Sequence, residues 1–96
     1  HRWLMPLKFE WDENKSKLNL KKHGIDFTEG KTVFNDSFAI TIDDPDHSDL
    51  EARYIDIGIS FKGRILVVWY TERDEKIRLI GCRKANRVER DQYEEE

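Results

Sequence analysis

The hydrophobic pattern of this chain changes near Phe38, and that change constrains the fold more than any other feature. Before Phe38 the apolar residues recur at helical spacing; after it they alternate with polar residues in the blocks "FAITI", "RYIDIGISF", "RILVVWYTER" and "KIRLIGCRK". Alternation at period two predicts strands, and the short connections "KG" and "DE" predict antiparallel hairpins. The second half of the chain is therefore predicted to form a four-stranded, mainly antiparallel sheet.

Helix signals dominate the first half of the chain. The segment "KFEW" is predicted to be a short strand, and Asp12 is a good N-cap for the helix "ENKSKLNLKKH", with Gly24 as its C-cap. A second helix is predicted from the capping box that starts at Asp26 through about Phe34. Together with the sheet, this pattern predicts an α+β fold.

The predicted second strand of the sheet has two unlike faces. Its isoleucines and Phe61 fall on one face, and Tyr54, Asp56, Gly58 and Ser60 fall on the other. We expect one face of the sheet to be buried under the two helices and the other to be open. A last helix is predicted to begin at the N-cap Asn86, with Glu89 at the capping-box position, and to run as "RVERDQYEEE".

Length and composition predict one small, highly charged domain. The chain has 96 residues, of which 38% are hydrophobic and 39% charged, against about 25% charged in typical domains. One cysteine excludes an internal disulfide, no signal peptide is recognisable, and no apolar run approaches the ~20 residues needed to span a bilayer. We expect residues 1–5 to be a cloning remnant or upstream sequence, residues 6–96 to be one domain, and the location to be a reducing cytoplasm.

Arginines concentrate near the end of the predicted sheet and in the last helix. Arg73, Arg78, Arg83, Arg87 and Arg90 lie within one strand-strand-helix unit. Guanidinium groups grip phosphates bidentately, so such a cluster beside an open sheet face is suited to phosphodiester binding. The alternative is a set of surface ion pairs with neighbouring carboxylates, each worth about 0–1 kcal/mol.

Strict alternation along the last strand separates two of these arginines. It places Arg78 on the face of Lys76, Ile80, Cys82 and Lys84, and Arg83 on the more apolar face of Ile77, Leu79 and Gly81. A charge on the apolar face is costly unless it is paired. Arg83 is therefore expected to have either a carboxylate partner or a role at a site.

Two further groups carry polar chemistry. The "KKHG" segment offers Lys22 and His23 as proton handlers, although basic residues also belong at helix C-termini for electrostatic reasons. The acidic segment "DDPDHSDLE" lacks the central glycine and distal glutamate of a calcium-binding loop, and no zinc-ligand spacing occurs. We expect no metal and no cofactor.

Five blocks of the sequence carry a family resemblance. Read in order, "FEWDENKSKLNLKKHGIDF", "TVFND", "DPDHSDLEARYIDIG", "ILVVWYTER" and "IRLIGCRKANRVERDQYE" resemble the BrnT family of type II toxins from about Phe9 to Glu94. The resemblance implies a RelE-like ribonuclease fold and metal-independent cleavage of RNA. It also implies a BrnA-like ribbon-helix-helix antitoxin as partner.

The resemblance also suggests which residues form the site. The candidate catalytic residues are Lys22, His23, Glu51, Arg53, Arg73, Arg78, Arg83 and Tyr93. The candidate RNA-binding residues are Lys76, Lys84, Arg87 and Arg90. Within this set, Arg73, Arg78 and Arg83 are expected to hold the phosphate, His23 or Lys22 to handle protons, and Tyr93 to stack on a base or donate a proton. Glu51 is expected to orient an arginine or to be the base.

Partners follow from the same resemblance. We expect a 2:2 assembly with the antitoxin, DNA contact through the antitoxin only, RNA as substrate with the ribosome as a potential partner, and no membrane contact. A net charge of -3 is unfavourable for approaching RNA, so we expect the acidic segments to lie away from the arginines. The rival interpretation is a non-catalytic nucleic-acid-binding or protein-interaction module.

Overall fold

A computed structural model describes residues 7–44 and 51–95. They form an α+β fold with a five-stranded mixed sheet in the order β1-β5-β4-β3-β2. The strands are β1 (Phe9–Glu10), β2 (Ile40–Asp43), β3 (Arg53–Ile59), β4 (Ile65–Arg73) and β5 (Lys76–Lys84). The helices are α1 (Glu13–His23), α2 (Phe27–Gly30), a 3-10 helix (Lys31–Asn35) and α3 (Arg87–Glu94). The expected remnant at residues 1–5 lies outside the described part.

The predicted caps of the N-terminal helices are confirmed. The Asp12 carboxylate accepts hydrogen bonds from the backbone N–H groups of Asn14 and Lys15, and Gly24 ends α1 at a φ of 76°. Asp26 caps α2 in the same way. The predicted second helix keeps its length but changes type, because α2 gives way to the 3-10 helix after one turn.

The predicted antiparallel strands are confirmed, but the sheet has five strands rather than four. Strands β2 to β5 pair antiparallel in chain order, and β1 adds to β5 in parallel, with Phe9 beside Ile77 and Glu10 beside Arg78. The short segment "KFEW" therefore belongs to the sheet. Because β1 is only two residues long, its pairing depends on tertiary contacts that its sequence does not specify.

The rest of the β5 edge is covered by α1. The Asn19 side chain donates to the carbonyl of Cys82 at 2.8 Å and accepts from the Cys82 backbone N–H at 3.3 Å. Its amide also donates to the carbonyl of Ile25 at 2.7 Å. One side chain thus satisfies backbone groups of β5 beyond its pairing with β1, and it fixes α1 against the sheet.

The N-terminal helices lie on the sheet face that holds the polar side of β3, where α1 packs on β5 and the 3-10 helix packs on β3. The isoleucine side of β3 lies on the opposite face. Asp56 is 5% exposed and accepts hydrogen bonds from Thr41 Oγ1 at 2.7 Å and the Tyr70 hydroxyl at 2.9 Å. Ser60 is 5% exposed and donates to Glu29 at 2.7 Å. These buried polar groups are tolerated because each has a partner. The main core forms on this face from Ile25, Phe27, Val33, Phe34, Leu66, Val68, Tyr70, Ile77, Leu79 and Cys82.

A buried ion pair joins α2 to the hairpin between β3 and β4. Glu29 is 2% exposed and accepts hydrogen bonds from both Arg64 and Ser60. Burial alone would raise the pKa of Glu29, but the bonds from Arg64 and Ser60 outweigh it and hold this pKa below its usual range. The carboxylate is therefore charged at neutral pH and anchors the hairpin.

The opposite face of the sheet, which we call the open face, is only partly covered. A small cluster of Ile57, Val67 and Ala85 lies there, with Ile55, Ile65, Trp69 and Tyr93 packed against it. Helix α3 covers one end of this cluster. Among residues 7–44 and 51–95, no helix is both long and apolar enough to cross a membrane.

Gly58 allows β3 to pack closely against Val33 of the 3-10 helix and against Ala39, which precedes β2. A Cβ at this position would lie 2.9 Å from both Ala39 Cβ and Val33 Cγ1, whereas a Cβ at Gly81 would meet nothing nearer than 3.9 Å. We expect Gly58→Ala to lower the free energy of unfolding by about 1–3 kcal/mol through overpacking. The matched variant Gly81→Ala should change it far less. Urea unfolding checks this, and equal midpoints for the two variants would contradict the close packing.

Candidate nucleic-acid interface

A β-bulge in β5 decides which side chains share the open face. Trp69 pairs with Gly81, and the next residue, Tyr70, pairs with Leu79, so Ile80 is an extra residue in β5. Alternation is therefore reset between Arg78 and Arg83. The prediction that these two arginines lie on opposite faces is wrong, because strict period two was assumed across the bulge.

Cross-strand pairing confirms this assignment of faces. Arg78 pairs with Thr71, and Arg83 pairs with Val67. Thr71 and Val67 are four residues apart in β4. The extra residue at the bulge belongs to β5, so alternation along β4 continues from Val67 to Thr71. Residues an even number apart in a strand point to the same face, so both arginines lie on the open face with Trp69.

Four cations gather where β3, β4 and β5 approach the same edge of the open face. Arg53 and Arg78 pair with Thr71 from its two sides, and Arg73 pairs with Lys76. We call Arg53, Arg73, Lys76 and Arg78 the arginine end. The turn between Arg73 and Lys76 holds Asp74 and Glu75 at φ values of 52° and 66°, a two-residue turn that suits the twist of a hairpin.

Two carboxylates lie among these cations. Arg73 Nη2 donates to Glu51 at 2.7 Å, and Arg78 Nη1 donates to Glu10 at 3.0 Å. The hydrogen bond from Arg73 holds the pKa of the Glu51 carboxyl below its usual range, and the same bond raises the pKa of Arg73. The expectation that acidic groups lie away from the arginines is therefore wrong for Glu51, which ends the acidic segment.

Arg83 has a carboxylate partner, which is one of the two alternatives expected from the sequence. Its Nη1 and Nη2 atoms donate to the two carboxylate oxygens of Glu89 at 2.7 and 2.9 Å. The guanidinium carbon lies 5.1 Å from the centroid of the Trp69 ring. The hydrogen bonds from Arg83 hold the pKa of Glu89 below its usual range, and the bonds to Glu89 raise the pKa of Arg83.

Tyr93 and Glu89 orient α3 on the sheet. The predicted capping box is confirmed, because Asn86 and Glu89 exchange side-chain and backbone hydrogen bonds at 2.9 and 2.8 Å. The Tyr93 hydroxyl donates to Asp36 at 2.6 Å. Burial, then this bond to Asp36, raises the pKa of Tyr93 to about 12. Tyr93 therefore contacts a carboxylate near the start of β2 rather than the arginine end.

The remaining candidate residues are dispersed. Lys22 and His23 are exposed at the end of α1, where the Gly24 carbonyl accepts a bond from Arg64. Arg64 precedes β4 and Arg73 ends it, a strand of nine residues or about 30 Å, so this helix end and the arginine end lie at opposite ends of the sheet. Lys84 is exposed at the end of β5, and Arg87 and Arg90 are exposed on α3.

His47 and most of the acidic segment lie at residues 45–50, outside the described part of the chain. Within residues 7–44 and 51–95, no group of three His, Cys, Asp or Glu side chains could hold a metal ion.

Sequence reasoning missed two residues at this face, Trp69 and Glu10. Trp69 shares strand parity with Thr71 and Arg73, so the pattern "WYTER" carried a usable signal. Glu10 became a partner of Arg78 only through the parallel pairing of β1, which no local pattern announces.

This α+β domain has a partly open sheet face with several guanidinium groups at one edge and another over an aromatic ring. Such a face is typical of a candidate nucleic-acid-binding protein. The sequence model of the family described as "Ribonuclease toxin, BrnT, of type II toxin-antitoxin system" matches residues 11–89. The chain therefore belongs to the BrnT family of ribonuclease toxins.

A solved structure agrees with this family. The crystal structure of the Brucella abortus ribonuclease toxin BrnT is similar to this chain with a TM-score of 0.62 and 25% identity, over 85% of this chain and 100% of that one. No curated protein matches the chain. The comparison supports the α+β architecture with its mixed sheet.

The Arg83–Glu89 pair makes the attachment of α3 depend on pH. Because the pKa of folded Glu89 lies below its unfolded value, its contribution to stability is present above the unfolded pKa and is lost as pH falls through the folded pKa. We expect Glu89→Gln to lower the free energy of unfolding by up to about 1 kcal/mol at neutral pH, after allowance for solvent screening. The difference from wild type should shrink as the pH falls from neutral to below about 4.3, the ordinary pKa of a glutamate.

Denaturant unfolding across this pH range is the measurement. Glu94→Gln is the control, because Glu94 is an exposed carboxylate of the same helix. A difference between wild type and Glu89→Gln that stayed constant down to the acid limit would show that the ion pair does not stabilise α3.

Proposed function

We propose that this chain is itself a ribonuclease toxin that cleaves RNA, and mRNA in particular, by metal-independent acid-base chemistry, and thereby inhibits translation and growth. The observation that carries the proposal is the arginine end. Four cations from three neighbouring strands lie on one face, at an exposed edge, with the carboxylate of Glu51 bonded to Arg73. Family membership supplies the reaction class, and the arginine end supplies groups suited to it.

The proposed reaction is attack of a ribose 2′-hydroxyl on the adjacent phosphate. The new O–P bond forms as the bond to the 5′-oxygen of the next nucleotide breaks, which leaves a 2′,3′-cyclic phosphate and a free 5′-hydroxyl. Charge on the phosphate oxygens grows in the transition state, and Arg53, Arg73 and Arg78 are positioned to stabilise it. Arginine stays protonated throughout, so these residues act electrostatically.

Geometry favours Glu51 as the base over the other candidates. Glu51 is exposed and hydrogen-bonded to Arg73, so its carboxylate lies at the arginine end, where it can reach the 2′-hydroxyl of a bound nucleotide and accept its proton. Lys22 and His23 lie at the other end of the sheet, and Tyr93 is bonded to Asp36. We therefore propose RNA binding for Lys22 and His23 and a positioning role for Tyr93.

The family implies an antitoxin partner, and we propose that it is a BrnA-like ribbon-helix-helix protein in a 2:2 assembly. Acidic and apolar side chains of the partner would cover the open face and displace Glu10 and Glu51 from their arginines. DNA contact would come only through the antitoxin. We also propose a RelE-like fold and action in the cytoplasm. The net charge of -3 is unfavourable for approaching RNA, and we propose that the ribosome offsets this by presenting the RNA to the protein.

One observation favours a second function. Arg73, Arg78 and Arg83 each have a carboxylate partner within the chain, which is what a non-catalytic nucleic-acid-binding or protein-interaction module would show. Arg73 and its partner Glu51 are about half exposed, however, and exposed pairs contribute only about 0–1 kcal/mol. A phosphate can therefore replace the carboxylate at little cost.

Cleavage of a short single-stranded RNA by the purified protein tests the proposal. We expect Arg78→Ala to lower kcat/KM by about 100- to 1,000-fold, the usual effect of removing one group that stabilises developing charge. Lys17→Ala removes an equal charge from the exposed surface of α1 and should leave the rate unchanged. Wild type should cleave in the presence of EDTA, should fail on RNA with a 2′-deoxy group at the scissile site, and should yield 2′,3′-cyclic phosphate ends.

The same variants can be compared in cells. Expression of wild type should arrest growth and shorten transcripts, whereas Arg78→Ala should do neither. If wild type binds RNA but leaves it intact both alone and with ribosomes, the non-catalytic alternative is correct. Equal rates for Arg78→Ala and Lys17→Ala would remove the arginine end from the mechanism.

A further inference from the structure

The donors of Arg83 are already largely in use. A guanidinium group has five N–H donors. Nη1 donates to Glu89 Oε1 at 2.7 Å and to the Lys84 carbonyl at 3.1 Å, and Nη2 donates to Glu89 Oε2 at 2.9 Å. The edge formed by the two terminal nitrogens, which a phosphate would grip bidentately, is thus occupied by Glu89. Arg83 differs in this respect from Arg73 and Arg78, which donate to Glu51 and Glu10 through a single terminal nitrogen each.

What Arg83 still offers to a ligand is the flat surface of its guanidinium. The side chain is 33% exposed, and its guanidinium lies over the ring of half-buried Trp69. The Glu89 carboxylate fixes the orientation of the group from one edge. A planar cation held against an aromatic ring and fixed at its edge is a pre-organised stacking surface, because it loses little freedom when a second planar group is added.

The surroundings leave room for a planar ligand. Gly81, directly across from Trp69 on β5, has no side chain, and a Cβ there would meet nothing nearer than 3.9 Å. The arginine end lies along the same face, since Arg78 and Arg83 pair with residues four positions apart in β4, or about 13 Å. A ligand that carries both a flat ring and a phosphate can therefore contact both places.

We propose that Arg83, supported by Trp69 and held by Glu89, is a nucleobase-stacking site of the open face. A base of single-stranded RNA stacks on the guanidinium plane, while a phosphate of the same strand is held at the arginine end. This inference rests on the proposed function and assigns Arg83 to recognition of the base instead of to the phosphate. Sequence recognition of RNA commonly uses such stacking on aromatic rings and guanidinium planes.

Arg83→Lys separates stacking from charge. Lysine keeps the positive charge and can still pair with Glu89, but it lacks the plane. The probe is a short 2′-O-methyl oligoadenylate, which lacks the reactive 2′-hydroxyl and therefore cannot be cut, and a matched series in which each position in turn is abasic. Binding is followed by fluorescence anisotropy at several salt concentrations.

For wild type, we expect the abasic change at one position to weaken binding on the order of tenfold, the scale of one lost base–side chain stack. For Arg83→Lys, the same abasic change should cost less than about twofold, and the salt dependence should match wild type because no charge is lost. Arg78→Ala, the control, should weaken binding to every probe and lower the salt dependence, yet keep the tenfold abasic penalty. Trp69→Leu, which removes the support, should behave like Arg83→Lys.

The outcomes separate this inference from the proposed function. If wild type binds the oligoadenylate but no abasic position costs more than about twofold, the stacking site is wrong while RNA binding stands. If Arg83→Lys and Trp69→Leu keep the full penalty, the base stacks elsewhere. If wild type binds neither the oligoadenylate nor any abasic probe, the stacking site is also wrong. Cleavage of unmodified RNA then decides the proposed function separately. The abasic series on wild type needs no variant, so it decides even if a substitution prevents folding.

Discussion

The single extra residue in β5 is the constraint on which the composition of the open face depends. A strand has side chains at period two, so without Ile80 as a bulge residue Arg83 would have pointed into the main core while Leu79 and Ile77 stayed there. With the bulge, Cys82 takes the core position and Arg83 joins Arg78 and Trp69 on the open face. One added residue thus changes a set of scattered cations into a face on which several of them can act together.

Burial of polar groups on the other side of the sheet makes that face available. The helices cover Asp56, Gly58 and Ser60 instead of the isoleucines of β3, which is unfavourable unless every buried group has a partner. Thr41 and Tyr70 satisfy Asp56, Arg64 and Ser60 satisfy Glu29, and Gly58 lets Val33 and Ala39 approach closely. Since α1 and α2 are held on that side, α3 is the one helix of residues 7–44 and 51–95 that packs on the opposite face.

The short α3 packs on the open face and also orients Arg83, which we propose as a stacking site. Its Glu89 is the N-terminal capping residue and also the carboxylate that orients Arg83, while its Tyr93 fixes the helix to Asp36. The same contacts that stabilise a polar eight-residue helix therefore hold a guanidinium plane over Trp69. At the other end of the face Arg73 and Glu51 are more exposed, so this arginine can exchange its carboxylate for the phosphate that we propose it binds.

Short-range patterns in the chain specify the local elements: the caps at Asp12, Asp26 and Asn86, the left-handed Gly24 and the four strands after Phe38. The arginine-rich segment and the family resemblance can also be read from the residues alone. Three features arise only in the folded chain: β1 joins β5, the polar side of β3 is buried, and Arg78 and Arg83 share a face with Trp69. Each of these depends on a partner distant in sequence, because the energy of a buried carboxylate, an edge pairing or a bulge is set by what lies opposite it in space and not by its neighbours along the chain.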